Sequence, residues 1–107
     1  MASGVFHSYT FTAAASGKAV VQCTYEAQAT AADFGAAVSV ALRETHSSST
    51  TTLETNNPGS TRQRSTLVGS FNVTAGVSYT VDLWGNCTGA TAVTAWNIKL
   101  HIEVIKR

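Results

Sequence analysis

Residues 96–104 read WNIKLHIEV, and this stretch decides the fold class. Apolar and polar side chains alternate along all of it, and a period of two is typical of a β-strand that buries one face. The same alternation recurs earlier, where polar residues separate Val21, Cys23, Tyr25 and Ala27. We therefore predict an all-β protein whose strands each turn one apolar face toward a core.

The composition describes one small domain, which we place over residues 1–107. Apolar residues make up 44% of the 107, an ordinary share, but charged residues make up only 12%, about half the usual fraction. Eleven serines and sixteen threonines supply the polarity instead, and threonine suits a pleated surface. A surface rich in hydroxyls and poor in charge favours an assembled or extracellular protein over a free cytosolic enzyme.

Strand and turn signals divide the chain into short segments. We predict strands at 5–13, 18–30, 36–45, 65–73, 77–84 and 92–105, with the threonine-rich stretch 47–54 as an edge strand or a loop. Turn residues occur at 56–60, 74–76 and 85–89, and residues 31–35 break the pattern and could carry one helical turn. This spacing predicts a single β-sandwich or jelly roll of seven to eight antiparallel strands.

Charge and hydropathy exclude several partners. The net charge is +1 and the basic residues are scattered, whereas a nucleic-acid surface needs a basic stripe, so we expect no nucleic acid. A membrane-spanning helix needs a run of at least about eighteen apolar residues, and the sequence contains none. We therefore expect no membrane contact. The first six residues lack a signal peptide's basic and apolar regions. A virus-particle component reaches the outside of the cell without a signal peptide, because lysis releases it. We therefore expect a virion or extracellular location.

Catalytic and metal-binding patterns are weak. The six carboxylates form no paired motif, and Glu26, Asp82 and Glu103 lie in outward phase, so we interpret them as solvated. His7 and His101 lie in the first and last strands, but no further ligands have zinc spacing. Nucleophile-elbow and phosphate-loop motifs are also missing from the sequence. We expect no enzyme activity, no metal and no cofactor.

The two cysteines leave two alternatives open. Cys23 lies in mid-strand on the apolar side, and Cys87 follows a later strand. They are either two buried free thiols or one disulfide between strands, which would stabilise the fold by roughly 4 kcal/mol.

The tryptophans are the best lead to a binding site. Trp84 is out of phase with the apolar residues of its strand, so we expect its side chain to point outward. There it could stack on a sugar ring, while Asn86 and Thr88 could hydrogen-bond to the hydroxyls of the sugar. Packing under a loop or in a subunit contact is the favoured alternative, because interfaces are enriched in tryptophan. Trp96 keeps the phase of Ile98, and we expect it in the core.

Residues 69–81, GSFNVTAGVSYTV, form a strand, an Ala-Gly turn and a tyrosine-bearing strand. This segment resembles hairpins of small jelly-roll and sandwich modules of bacteriophage particles, namely decoration, collar and tail-fibre proteins. It is also similar to bacterial pre-peptidase C-terminal and carbohydrate-binding sandwiches. The resemblance implies a sandwich fold and a role in a virion or in glycan binding. The acidic calcium loops of many carbohydrate-binding modules are not evident, and no functional residue carries over.

The edge strands of an open β-sandwich also bear on the expected function. Edge strands expose unpaired backbone groups, which proteins protect with charge, proline or bulges, or cover with partner subunits. Because this chain has few charges, we expect a homo-oligomer, of which a trimer is one form. We expect a non-enzymatic virion accessory protein that contacts itself and other virion proteins. The alternatives are a carbohydrate-binding module and, more remotely, a small hydrolase.

Overall fold

A computed structural model describes residues 4–31, 38–59, 61–87 and 91–106. These residues form seven strands: β1 Gly4–Thr12, β2 Gly17–Ala31, β3 Val38–His46, β4 Ser49–Asn56, β5 Gln63–Val73, β6 Ser78–Cys87 and β7 Thr91–Lys106. The all-β prediction is confirmed, and in the described ranges no helix is long and apolar enough to cross a membrane. Most of the predicted helical turn at 31–35 lies outside these ranges.

The strands pair into two antiparallel sheets, with the orders β1-β6-β3-β4 and β5-β2-β7. We call them the four-stranded and the three-stranded sheet, and we call the faces that they turn toward each other their inner faces. The alternation in β2 and β6 places its apolar residues on these faces, as predicted. The core includes Val21, Cys23, Tyr25, Leu42, Leu67, Val81 and Leu83. The predicted β-sandwich is therefore the fold.

Two connections show how local sequence sets the turns. Gly76 has a φ of 85°, and the Val77 N–H donates to Thr74 O at 3.1 Å, as in a type II turn. The predicted Ala-Gly turn between β5 and β6 is therefore confirmed. Ser47 and Ser48 both have positive φ and join β3 to β4, as in a two-residue type I′ hairpin. The threonine-rich stretch after them is an edge strand, the first of the two predicted alternatives.

The predicted turn at 85–89 is wrong in its first part, because β6 continues to Cys87. Gly85 pairs with Val40 of β3 and with Gly4 of β1. A Cβ at Gly85 would lie 2.6 Å from the Phe6 ring. This glycine therefore leaves room for an aromatic ring inside a strand and does not make a turn.

The strand that decided the fold class contains a bulge at Asn97, which has a φ of 52°. Trp96 pairs with Glu26 on the outer face of the three-stranded sheet, whereas Ile98 packs against the core. The expectation that Trp96 lies in the core is therefore wrong. The bulge adds one extra residue to β7, so the side chains that precede it in the strand face the opposite way from the sequence prediction.

One side of the sandwich, formed by the edge strands β4 and β5, is closed. The Val68 N–H of β5 donates to Glu54 Oε2 of β4 at 3.0 Å. The Asn56 amide donates to Tyr25 Oη and Ser65 Oγ, at 3.2 and 3.3 Å. These polar bonds join the two sheets along this side, which we call the closed side.

Candidate functional site

The opposite side, formed by β1 and β7, is less well covered. The four-stranded sheet is one strand wider than its partner, and β4 packs on β5 while β6 packs on β7. The next strand, β1, therefore extends past β7 as an overhang. A groove of about 300 Å³ lies under this overhang, and it is lined by His7, Tyr9, Leu100, His101 and Ile102. We call this region the open side.

The inner face of β1 carries aromatic side chains that the fold does not bury. Tyr9 and Phe11 pair with Val81 and Tyr79 of β6, so they share the inner face with these buried residues. Val81 is inaccessible to solvent, but Tyr9 is 54% exposed. The inner-face residues of β7 that pack on the core, Ile98, Leu100 and Ile102, are only half-buried. The open side thus exposes apolar surface that belongs to a core face.

The outer face of the four-stranded sheet holds the predicted site residue Trp84. The Arg43 guanidinium lies 4.4 Å from its ring centroid and also donates two hydrogen bonds of 2.9 Å to Asp82. One face of the half-buried Trp84 ring is therefore covered. Asp82 is only 5% exposed, so its interpretation as a solvated carboxylate is wrong: pairing with Arg43 compensates its charge there.

The predicted sugar site also includes Asn86 and Thr88. Asn86 lies two positions beyond Trp84 in β6 and is half-buried. Thr88 lies outside the described residues. Because side chains alternate along a strand, Asn86 and Trp84 lie on the same face of β6.

The outer face of the three-stranded sheet carries the second tryptophan site. The Arg62 guanidinium lies 4.1 Å from the Trp96 ring centroid and donates to Glu26 Oε1 at 3.0 Å. Asn97, placed by the bulge, donates to Glu26 Oε2 at 2.6 Å, and Arg64 lies 3.7 Å from that oxygen. These partners lower the pKa of Glu26, the Asn97 hydrogen bond most. This carboxylate is therefore paired, not simply solvated.

A depression of about 430 Å³ adjoins this cluster. It is lined by Thr24, Arg64, Asn97, Ile98 and Lys99. Two of its lining side chains are cationic, and Arg64 is 71% exposed. This arrangement was not predictable from the sequence, because the bulge that creates it lies inside an apparently regular strand.

Glu44 is a second buried acidic group, after Asp82, that the sequence interpretation missed. It continues the inward phase of Val40 and Leu42, and it is 2% exposed. The Nδ1 atom of His46 is its hydrogen-bonded partner, and the His46 ring lies 5.2 Å from that of Tyr79. The phase of β3 was the available signal. The pair acts as a polar anchor at one end of the core, because burial of a lone carboxylate would be costly.

Cys23 is a free, buried thiol in this structure. Cys23 lies in the middle strand of the three-stranded sheet, whereas Cys87 ends a strand of the other sheet. Burial raises the pKa of the Cys23 thiol to about 11, so it is unreactive near neutral pH. The side chain of Cys87 lies outside the described residues.

The fold brings His7 and His101 to one groove, as their strand positions allowed. In the described ranges, no group of three or more His, Cys, Asp or Glu side chains is arranged to hold a metal ion. His101 lies between the inner-face residues Leu100 and Ile102, so its side chain is on the outer face of β7, whereas His7 shares the inner face of β1 with Tyr9.

Comparison of the chain with known protein families, curated proteins and solved structures finds no match.

Proposed function

We propose that this protein is a non-enzymatic assembly module that works by burying its open side against other subunits. The observation that carries the proposal is the exposure of Tyr9, which lies on the same inner face as the fully buried Val81. An exposed extension of a core face favours a protein contact, because each Å² of apolar area removed from water contributes about 25 cal/mol.

The chemistry of this side favours contacts that are insensitive to salt. β1 contains no Lys, Arg, Asp or Glu, so burying it against a partner would desolvate none of these charged side chains. Affinity would come from apolar area and from backbone hydrogen bonds along the edge strands. Added salt screens charges and leaves such a contact largely intact.

The finer part of the proposal is that the module is a bacteriophage virion accessory, such as a decoration, collar or tail-fibre protein. Its support is the hydroxyl-rich, charge-poor composition and the strand, Ala-Gly turn and strand of residues 69–81. Its partners would be further copies of the chain and other virion proteins. Its location would be the virion, or the extracellular medium after lysis.

Glycan binding at Trp84 is the weaker candidate. Arg43 occupies one face of the Trp84 ring and leaves less flat surface for a sugar. A glycan array with the wild-type protein and a Trp84→Ala variant tests this alternative: tryptophan-dependent binding would support it.

The assembly proposal is tested by size-exclusion chromatography with light scattering over a wide concentration range. We expect a mass above that of the 11.2 kDa chain, in a form that persists in about 1 M salt. The measured mass distinguishes a dimer from a trimer. A monomer at every concentration, in the absence of other virion proteins, would contradict self-assembly.

A further inference from the structure

We infer that the open side is covered by a second copy of this chain, through antiparallel pairing of β1 with β1 of the partner. This inference rests on the proposed assembly function and names the contact that performs it. The product is a twofold dimer in which two four-stranded sheets join into one continuous sheet of eight strands.

The widths of the two sheets select β1 over β7 as the edge that meets a neighbour. Because β1 extends past β7, it is the first edge that a second sandwich reaches from this side. Direct pairing of two β7 strands would drive the two overhanging β1 strands into each other. Pairing of two β1 strands meets no such obstacle, and it brings both inner faces over the space between the two β7 strands.

The sequence of β1 is compatible with itself. Its nine residues, GVFHSYTFT, contain no charged group and no proline, so self-pairing puts no like charges opposite each other. Edge strands that must remain unpaired usually carry such protection. The one protective device here is the bulge between Val5 and His7, which leaves a regular segment from His7 to Thr12.

The two faces of that segment also match themselves. Antiparallel partners share a face, so a twofold axis at Tyr9 or at Thr10 pairs ring with ring on the inner face and hydroxyl with hydroxyl on the outer face. The inner-face rings are those of His7, Tyr9 and Phe11, and the outer-face hydroxyls are those of Ser8, Thr10 and Thr12. On the outer face, Thr10 and Thr12 already bond to Thr80 and Ser78 at 2.8 Å, and the second copy would extend these rows.

A second copy of this chain is the partner whose binding would pair the free β1 edge of both molecules at once. The twofold contact pairs the free backbone groups of two identical edges and covers Tyr9 in both. An unrelated strand would cover one groove only, and it would need its own uncharged edge with the same pattern of rings and hydroxyls.

The decisive experiment compares Tyr9→Lys with Val68→Lys. Tyr9 is 54% exposed on the open side and Val68 is 52% exposed on the closed side, so the two substitutions are matched in exposure. Tyr9→Lys places a charge on the inner face of the pairing edge, and the dimer dissociation constant should rise at least about tenfold. Val68→Lys should leave it within about twofold. Circular dichroism verifies that both variants are folded.

Hydrogen exchange locates the contact without any substitution. Amides of residues 4–12 should gain protection as the protein concentration rises through the dissociation constant, while those of residues 49–56 should not change. A wild-type protein that stays monomeric contradicts both the assembly function and this contact. An oligomer that resists Tyr9→Lys, gains protection elsewhere or has three subunits overturns the β1 contact and leaves assembly standing.

Discussion

The closed and open sides of this sandwich use the same kinds of strand and differ in what lies between them. On the closed side, hydrogen bonds from Asn56 and to Glu54 join the sheets, and Gly69 allows Leu53 to approach β5. On the open side, a wider sheet overhangs a groove, and Tyr9 stays exposed. The difference is that contacts within the chain close one side, whereas the other side keeps apolar surface exposed.

The largest effect should come from a methyl group added on the closed side. A Cβ at Gly69 would lie 2.6 Å from the Cβ of Leu53, an atom fixed to the β4 backbone, so relief requires the strands to separate. We expect Gly69→Ala to lower the free energy of unfolding by about 2 kcal/mol, measured by urea denaturation.

The matched control is Gly85→Ala near the open side. Its Cβ would meet only the far end of the Phe6 ring, on an edge strand that can yield. The cost should stay below about 1 kcal/mol, because alanine also restricts the unfolded chain. Equal costs for the two variants would show that the sides do not differ in rigidity.

The next effect concerns the polar link of the closed side. Asn56→Ala removes the donor to Tyr25 Oη, which lies in a fully buried residue, so we expect a loss of about 1–2 kcal/mol in urea denaturation. Burial raises the pKa of Tyr25 and the Asn56 hydrogen bond lowers it, so the variant should raise that pKa further, seen by ultraviolet titration.

Thr55→Ala is the control for this link, because Thr55 is the exposed neighbour of Asn56 on the same strand. We expect it to change stability by less than about 0.5 kcal/mol. If Asn56→Ala behaved like this control, the hydrogen bonds between the sheets would not be what closes this side.

Most strands and the Ala-Gly turn were predictable because each has a local cause. Alternation in β2 and β6 and the Ala75–Gly76 turn act over a few residues, and each agrees with the structure. The bulge at Asn97 was not predictable, because no glycine or break in the apolar pattern marks it. Since the bulge turns Trp96 outward, the whole cluster around Glu26 was missed with it.

The location of the open side was not predictable from the sequence. The shortage of charge and the presence of edge strands led to the expectation that partner subunits cover some edge, which stays a prediction, but the sequence does not specify which strands lie opposite each other. The exposure of Tyr9 depends on the four-stranded sheet being wider than its partner. That property belongs to the packing of two sheets, which no single strand encodes.

The smallest effect tests the bulged strand on the open side. The Asn97 hydrogen bond, and then the charge of Arg62, lower the pKa of Glu26 from its ordinary value of 4.5. A lowered pKa in the folded state adds stability above the unfolded value, and this part is lost as the pH falls through the folded value. Asn97→Ala should therefore raise the pKa of Glu26 in the folded state, so the acid loss of stability should become smaller and be complete at a higher pH, measured by urea denaturation between about pH 6 and pH 3.

Thr94→Ala, an exposed and uncharged change on the same strand, should keep the wild-type pH profile. Glu26→Gln removes the carboxyl, so in this background Asn97→Ala should no longer change the profile. If Asn97→Ala shifted it equally in that background, another group would titrate there. The bulge would then act through the β2–β7 pairing, and the acid response would report on the strand rather than on Glu26.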